Sequence, residues 1–212
     1  MKANKFLVVS IGLAFFFGLD ASAQTIKPAV IEKYPASVVS LTYDIVSKIP
    51  ADETLQLQIA AKIEEESQYK VSLLKENEGI LTNEAGQLLV KFRKQWMREL
   101  LKGDLLAQYY RGVYDPECKK KADAQAEKIQ LKTPKMQNNV RKQLASCLRQ
   151  IYLENKVIEA IQPKKKVEKL QSEVWKRWLD DFEQKSGWRI NPDFTAESVW
   201  TESRTIPRMS KK

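Results

Sequence analysis

Apolar residues recur every three or four positions along most of the chain, which is the spacing of one buried face of an α-helix. Runs that alternate between apolar and polar residues are nearly absent, and the chain contains only 7 Gly, which disfavours β-sheets. The clearest apolar stripes are Leu89, Phe92, Trp96 and Leu100; Val140, Leu144, Cys147, Ile151, Ile158 and Ile161; and Val167, Leu170, Val174, Trp178 and Phe182. The pattern predicts an all-α protein.

Capping residues and prolines predict where the helices begin and end. Thr82 is suited to cap a helix, and Asp115-Pro116 and Thr133-Pro134 each place a cap before a proline in the first turn. Gly187 is suited to end the last helix. The predicted helices are 37–47, 51–77, 82–111, 116–129, 134–161 and 163–187. We therefore expect a bundle of about six helices, arranged as stacked antiparallel hairpins.

The N-terminal segment has the pattern of a secretory signal peptide. Lys2 and Lys5 precede an apolar run from Phe6 to Gly18, and Ala21-Ser22-Ala23 supplies small residues for cleavage. Asp20 closes the apolar run well short of the roughly 20 residues that a membrane span needs. We expect an exported protein, periplasmic or secreted, with a signal peptide at 1–23, one helical domain at 24–202 and a basic, disordered tail at 203–212.

Export affects the interpretation of the two cysteines. In an oxidising compartment two cysteines are more often paired than free, which predicts a disulfide between Cys118 and Cys147. Both residues lie about equally far from the predicted turn at 129–133, so an antiparallel hairpin would bring them to the same level. The alternative is two buried thiols, because Cys147 belongs to an apolar stripe.

The composition excludes several kinds of catalytic site. The chain contains no His, which removes histidine-dependent nucleophiles and histidine-ligated metals, and it has no glycine-rich phosphate loop. Two acidic clusters, Glu64–Glu66 and Asp180–Glu183, leave a carboxylate-based hydrolase of cell-wall polymer as an alternative. Acidic runs on helices are more often solvated surface, so we predict a protein that is not an enzyme and has no cofactor or metal.

Positive charge is the strongest physical feature of the sequence. The formal charge is +9, and removal of Lys2, Lys5 and Asp20 with the signal peptide lowers it to +8. Two predicted helix starts carry lysine triplets, Lys119, Lys120 and Lys121 and then Lys164, Lys165 and Lys166. Lysine there opposes the helix dipole, so these triplets suggest a binding patch for acidic proteins or anionic envelope polymers. Nucleic acid is not expected outside the cell.

The C-terminal part of the chain is rich in tryptophan. Trp178 and Phe182 belong to an apolar stripe, whereas Trp175, Trp188 and Trp200 lie off it. Either these three complete and cap the core, or they form an aromatic surface for a glycan or peptide.

In size, charge and helix content, the chain resembles the Spy-type periplasmic chaperones, whose hallmark is a Leu-Thr-x-x-Gln element. Leu81-Thr82 matches its first two residues, but Ala85 stands in place of Gln. Leu41-Thr42 departs from the element at the same position. The resemblance concerns the general class of protein and not membership of the family. It implies a helical protein that binds unfolded clients.

These observations favour a non-enzymatic helical protein, chaperone-like in character, that binds a protein client or partner, or an anionic envelope component, through a basic surface. The alternatives are the hydrolase and a structural envelope domain that assembles with copies of itself.

The signal peptide makes a direct prediction about the mature N-terminus. Expression in a secreting host should give a chain that begins at Gln24, because Ala21-Ser22-Ala23 is the cleavage site. Intact-mass analysis of the exported protein measures this, with cytoplasmic expression as the control. An exported chain that retains Met1 would contradict it.

Overall fold

The computed structural model describes residues 25–129, 134–191 and 196–198. These residues form seven helices: α1 Pro28–Lys33, α2 Ala36–Val46, α3 Glu53–Glu76, α4 Asn83–Leu100, α5 Asp104–Ala126, α6 Pro134–Ile161 and α7 Lys164–Ser186. Two short antiparallel strands follow, β1 Trp188–Ile190 and β2 Ala196–Ser198. The predicted all-α helical bundle is confirmed, and α1 and the strand pair are additions to it. The predicted signal peptide and tail lie outside the described residues.

The predicted break at Asp115-Pro116 is wrong. Pro116 lies inside α5, and the chain breaks instead at Gly103, which has φ 60° and precedes α5 as its N-cap. Glycine adopts this positive φ at little cost, so the chain can turn there. Proline costs α5 one backbone hydrogen bond. Burial of Leu106 before Pro116 and of Cys118 after it favours a continuous helix across that position.

Contacts divide the chain into two compact units, with the boundary between Trp96 and Met97. In the first unit, α1 and α2 pack against α3. The buried amide of Gln56 ties their ends together, because it accepts from the backbone N–H of Lys27 at 2.9 Å and donates to the carbonyl of Ala51 at 3.2 Å. Apolar side chains from the three helices, including Val30, Val38 and Ile59, are buried around it.

One carboxylate connects α3 with α4 inside the first unit. Glu66 Oε2 accepts from the indole N–H of Trp96 at 3.1 Å and from Nε of Arg93 at 2.9 Å. The second carboxylate oxygen pairs with Nη2 of Arg93 at 2.6 Å. The Glu66 side chain is only 13% exposed, and Trp96 is 2% exposed. These contacts satisfy a buried indole N–H that would otherwise lack an acceptor.

The second unit is built on α5, α6 and α7, which follow one another in the sequence. Helix α6 packs against both α5 and α7. Its core consists of apolar residues from all three helices: Ala122, Ala126, Ile129, Val140, Leu144, Cys147, Leu148, Ile151, Val174 and Phe182. Gly187 ends α7 with a left-handed φ of 72°, as its sequence position predicted.

The Glu66 contacts predict an unequal response of two neighbouring carboxylates. Glu66→Ala should lower the free energy of unfolding by about 2 kcal/mol, because it leaves the Trp96 indole N–H without an acceptor. Glu65→Ala is the matched control. Its carboxylate is 50% exposed and pairs only with Lys62, so its loss should cost less than about 0.5 kcal/mol. Urea unfolding measures both, and equal losses would contradict the assignment.

Candidate functional site

The net charge of the protein lies entirely in one part of the chain. Residues 1–96 hold 11 Lys or Arg and 11 Asp or Glu, so the formal charge of +9 belongs to residues 97–212. Both predicted lysine triplets are in this second part and are exposed. Lys164–Lys166 occupy the first turn of α7, as predicted. Lys119–Lys121 lie in the interior of α5 and not at a helix start, because Pro116 does not begin a helix.

A groove on the second unit brings one of these lysines together with aromatic and amide side chains. We call it the Lys121 groove, and its volume is about 220 Å³. Three helices line it: Glu117, Cys118 and Lys121 from α5, Tyr152, Asn155, Lys156 and Glu159 from α6, and Gln171 and Trp175 from α7. Lys119, Lys120 and Lys164–Lys166 do not line it. The groove therefore unites part of the predicted basic patch with part of the predicted aromatic surface.

Aromatic rings and ion–ring contacts organise one wall of the Lys121 groove. The Lys121 ammonium lies 4.5 Å from the ring centroid of Tyr152, a cation–π distance. The rings of Tyr152 and Trp175 meet edge to face, with centroids 6.0 Å apart. Gln171 Nε2 also donates to Glu159 Oε1 at 2.8 Å. These contacts fix the positions of side chains that line the groove.

Asn155 provides the feature of the Lys121 groove that most needs explanation. Its Oδ1 atom is buried and has no hydrogen-bond partner. A buried acceptor without a donor costs about 1–3 kcal/mol, and such atoms are rare in native proteins.

The predicted disulfide between Cys118 and Cys147 is wrong, because both residues are buried free thiols. The Cys147 thiol points toward α7 and donates to the carbonyl of Trp178 at 3.2 Å. Cys118 instead lines the Lys121 groove. The hairpin of α5 and α6 exists, but equal distance from its turn does not determine the direction in which each side chain leaves its helix. Burial raises the pKa of both thiols, that of Cys147 to about 12.

The three tryptophans proposed as an aromatic surface have different positions. Trp175 is half-buried and lines the Lys121 groove. Trp188 is half-buried and packs against the core of the second unit, which fits a cap. Trp200 lies outside the described residues. Of the three, only Trp175 is placed in a groove.

The acidic clusters take part in ordinary ion pairs. Glu65 pairs with Lys62, Asp181 pairs with Lys185 at 2.8 Å, and Glu183 accepts from Arg189 at 2.8 and 2.9 Å. In the described part of the chain, no group of three acidic or cysteine side chains is placed to hold a metal ion. No described helix combines the length and the apolar character needed to cross a membrane.

The first unit carries a different kind of surface. Eight of the nine large apolar side chains that are exposed among the described residues belong to it, including Ile80, Leu81, Leu88 and Val90. Some of them border an open groove of about 380 Å³ between α2, α3 and α4. Exposed apolar surface of this kind is typical of sites that contact other macromolecules.

Comparison with known proteins assigns no family or function, because no protein-family model, curated protein or solved structure matches this chain. The site must therefore be interpreted from its own residues. The sequence reasoning missed six of them: Glu117, Gln171 and the four α6 residues Tyr152, Asn155, Lys156 and Glu159. The spacing of these four along α6 is that of a single helix face, so a search for polar stripes beside the apolar one would have found them.

The free thiols lead to a prediction that distinguishes two buried thiols from a disulfide. Protein purified without reductant should take up maleimide at both Cys118 and Cys147 when unfolded in guanidinium chloride, and react slowly when folded, because burial restricts the access of the reagent to both thiols and raises their pKa. Mass spectrometry counts the labels, and Cys147→Ala should lower the count by one. A chain that takes up label only after reduction would restore the disulfide.

Proposed function

We propose that this protein is an exported, non-enzymatic binding protein that holds a protein client or partner through the basic surface of residues 97–212. Export is supported by the signal-peptide pattern of Met1–Ala23. The observation that carries the binding proposal is the concentration of the whole +9 charge in residues 97–212, with Lys119, Lys120 and Lys121 all exposed on one helix. Such a field attracts acidic partners and raises their rate of association.

A polypeptide explains the other surfaces better than a simple polyanion does. The phosphate groups of lipids or polymers would contact the lysines. A protein client also presents apolar side chains, which suit the exposed apolar groove of the first unit. The exposed apolar groove of the first unit thus favours a protein over an anionic envelope component.

The basic surface can be tested by reversing charge in two places. Lys119→Glu with Lys120→Glu should reduce capture of proteins by at least about tenfold in a crosslinking pull-down from an envelope extract at low salt, because it reverses the attracting field where the partner docks. Raising the salt should weaken capture by the unaltered protein, since exposed charges are screened beyond about 8 Å at physiological ionic strength.

Lys91→Glu with Lys94→Glu is the matched control. These exposed α4 residues lie in the neutral part of the chain, and the pair changes the net charge by the same amount. Equal losses for both double variants would show that only net charge matters and would contradict the proposed surface. Sedimentation with phosphatidylglycerol vesicles is the parallel assay: tight binding there, with no protein captured from the extract, would assign the surface to anionic lipid.

A further inference from the structure

We infer that the apolar groove of the first unit holds an amphipathic helix of a client polypeptide, with apolar side chains of that helix in the groove and an acidic side chain opposite Lys70. This inference rests on the proposed function and names the segment of the client that the groove takes. Four observations support it: an uncovered apolar lining, one lysine without an ion-pair partner, polar groups that are otherwise engaged, and a glycine with open space beside it.

The lining of the groove is apolar and is left uncovered by the folded chain. Leu41 of α2, Val90 of α4 and Leu81, which precedes α4, all line the groove and are exposed. The groove volume of about 380 Å³ lies within the range of about 300–1,000 Å³ that is usual for ligand sites. It therefore has room for a few apolar side chains of a partner, and removing Leu and Val from water favours their binding.

The charges that line the groove leave one positive charge in excess. Glu66, Lys70 and Arg93 are its charged residues, and the Glu66 carboxylate is neutralised by Arg93 at 2.6 Å. Lys70 is exposed and forms no ion pair with any residue that the structure describes. A partner that places one carboxylate opposite Lys70 is complementary to this charge, which selects an Asp or Glu beside the apolar side chains.

The remaining polar groups of the groove favour a helical partner over an extended one. The walls are helices, whose backbone groups are bonded within each helix. Ser67 Oγ donates to the carbonyl of Ile63 at 2.9 Å, and Glu66 is held by Arg93. An extended segment would therefore bring backbone N–H and C=O groups onto apolar surface with few partners for them, which is costly. A helix satisfies these groups internally and offers only side chains to the groove.

Gly86 gives the partner helix room to approach α4. It lies near the start of α4 and lines the groove, and a Cβ atom at this position would meet no atom of the described chain within 4 Å. Glycine inside a helix lowers stability relative to alanine, so its presence here is a local cost to α4. The distance between two packed helices depends on the size of the side chains at their contact, and a missing side chain permits a close one.

Filling the space beside Gly86 should change stability and binding in opposite directions. Gly86→Leu should leave the melting temperature unchanged or raise it by about 2–4 °C, because leucine favours a helix more than glycine does. The same change should weaken binding of a helical peptide at least about tenfold, because the new side chain occupies the groove. Gln87→Leu is the matched control, since Gln87 is an exposed neighbour on α4 that does not line the groove.

Two apolar residues of α4 provide a second test. Val90 is 54% exposed and lines the groove, whereas Leu88 is 44% exposed and does not. Val90→Gln should weaken peptide binding about fivefold, because apolar surface that the partner covers is lost, and Leu88→Gln should leave binding unchanged.

The probe is a dye-labelled synthetic peptide with leucine at every third or fourth position and glutamate beside that stripe. Fluorescence anisotropy measures its binding to the full mature protein at physiological salt. A second peptide has the same residues rearranged so that leucine alternates with polar residues, which removes the helical stripe. The expected result is binding of the first peptide at least about tenfold tighter than the second.

A charge exchange tests the position of the acidic side chain. Lys70→Glu should weaken binding of the glutamate peptide about threefold to fivefold, and a peptide with lysine in place of glutamate should restore it. Lys75→Glu is the matched control, because Lys75 is an exposed residue of α3 that does not line the groove.

Three results would overturn the inference. Equal binding of the two peptide arrangements would show that the groove does not select a helix, and equal binding to Gly86→Leu and to the unaltered protein would show that the peptide lies elsewhere. Absence of peptide binding, together with dimers in light scattering that Gly86→Leu abolishes, would assign the groove to a second copy of the chain. In each case, loss of protein capture by Lys119→Glu with Lys120→Glu would leave the proposed function standing without this site.

Discussion

The second unit depends on the burial of α6 between α5 and α7. Leu144, Leu148 and Ile151 of α6 are almost completely inaccessible to solvent, and burial of each such side chain contributes about 1.5–3 kcal/mol. A helix that is packed on two sides has only part of its surface left for other roles. On α6 this remaining surface carries Tyr152 and Asn155, so the packing that stabilises the unit also places the groove.

The two units of the chain expose different kinds of surface. The first unit exposes apolar side chains and is electrically neutral, whereas the second carries the net charge and a polar groove. In the second unit the buried Oδ1 atom of Asn155 has no hydrogen-bond partner, which lowers stability.

The presence of the helices could be predicted well from the sequence, whereas their boundaries could be predicted less well. Apolar spacing identified α2 to α7, and the Thr82 side chain does accept from the N–H of Ala85 at 3.1 Å, as its capping role required. The helix boundary predicted at Pro116 was misplaced because sequence rules consider only the backbone hydrogen bond that proline removes from a helix. In the folded chain, packing on both sides of Pro116 outweighs that bond, and Gly103 provides the turn with a positive φ.

The sequence by itself determined the helical class, the amphipathic stripes and the basic charge, since these follow from residue type and from the 3.6-residue period of the backbone. Only the tertiary structure decided which side chains meet. The rotation and register of three helices turn Cys147 toward Trp178, place Cys118 beside the Lys121 groove and keep the two thiols apart. These parameters are set jointly by contacts between residues far apart in sequence, and local periodicity carries no information about them.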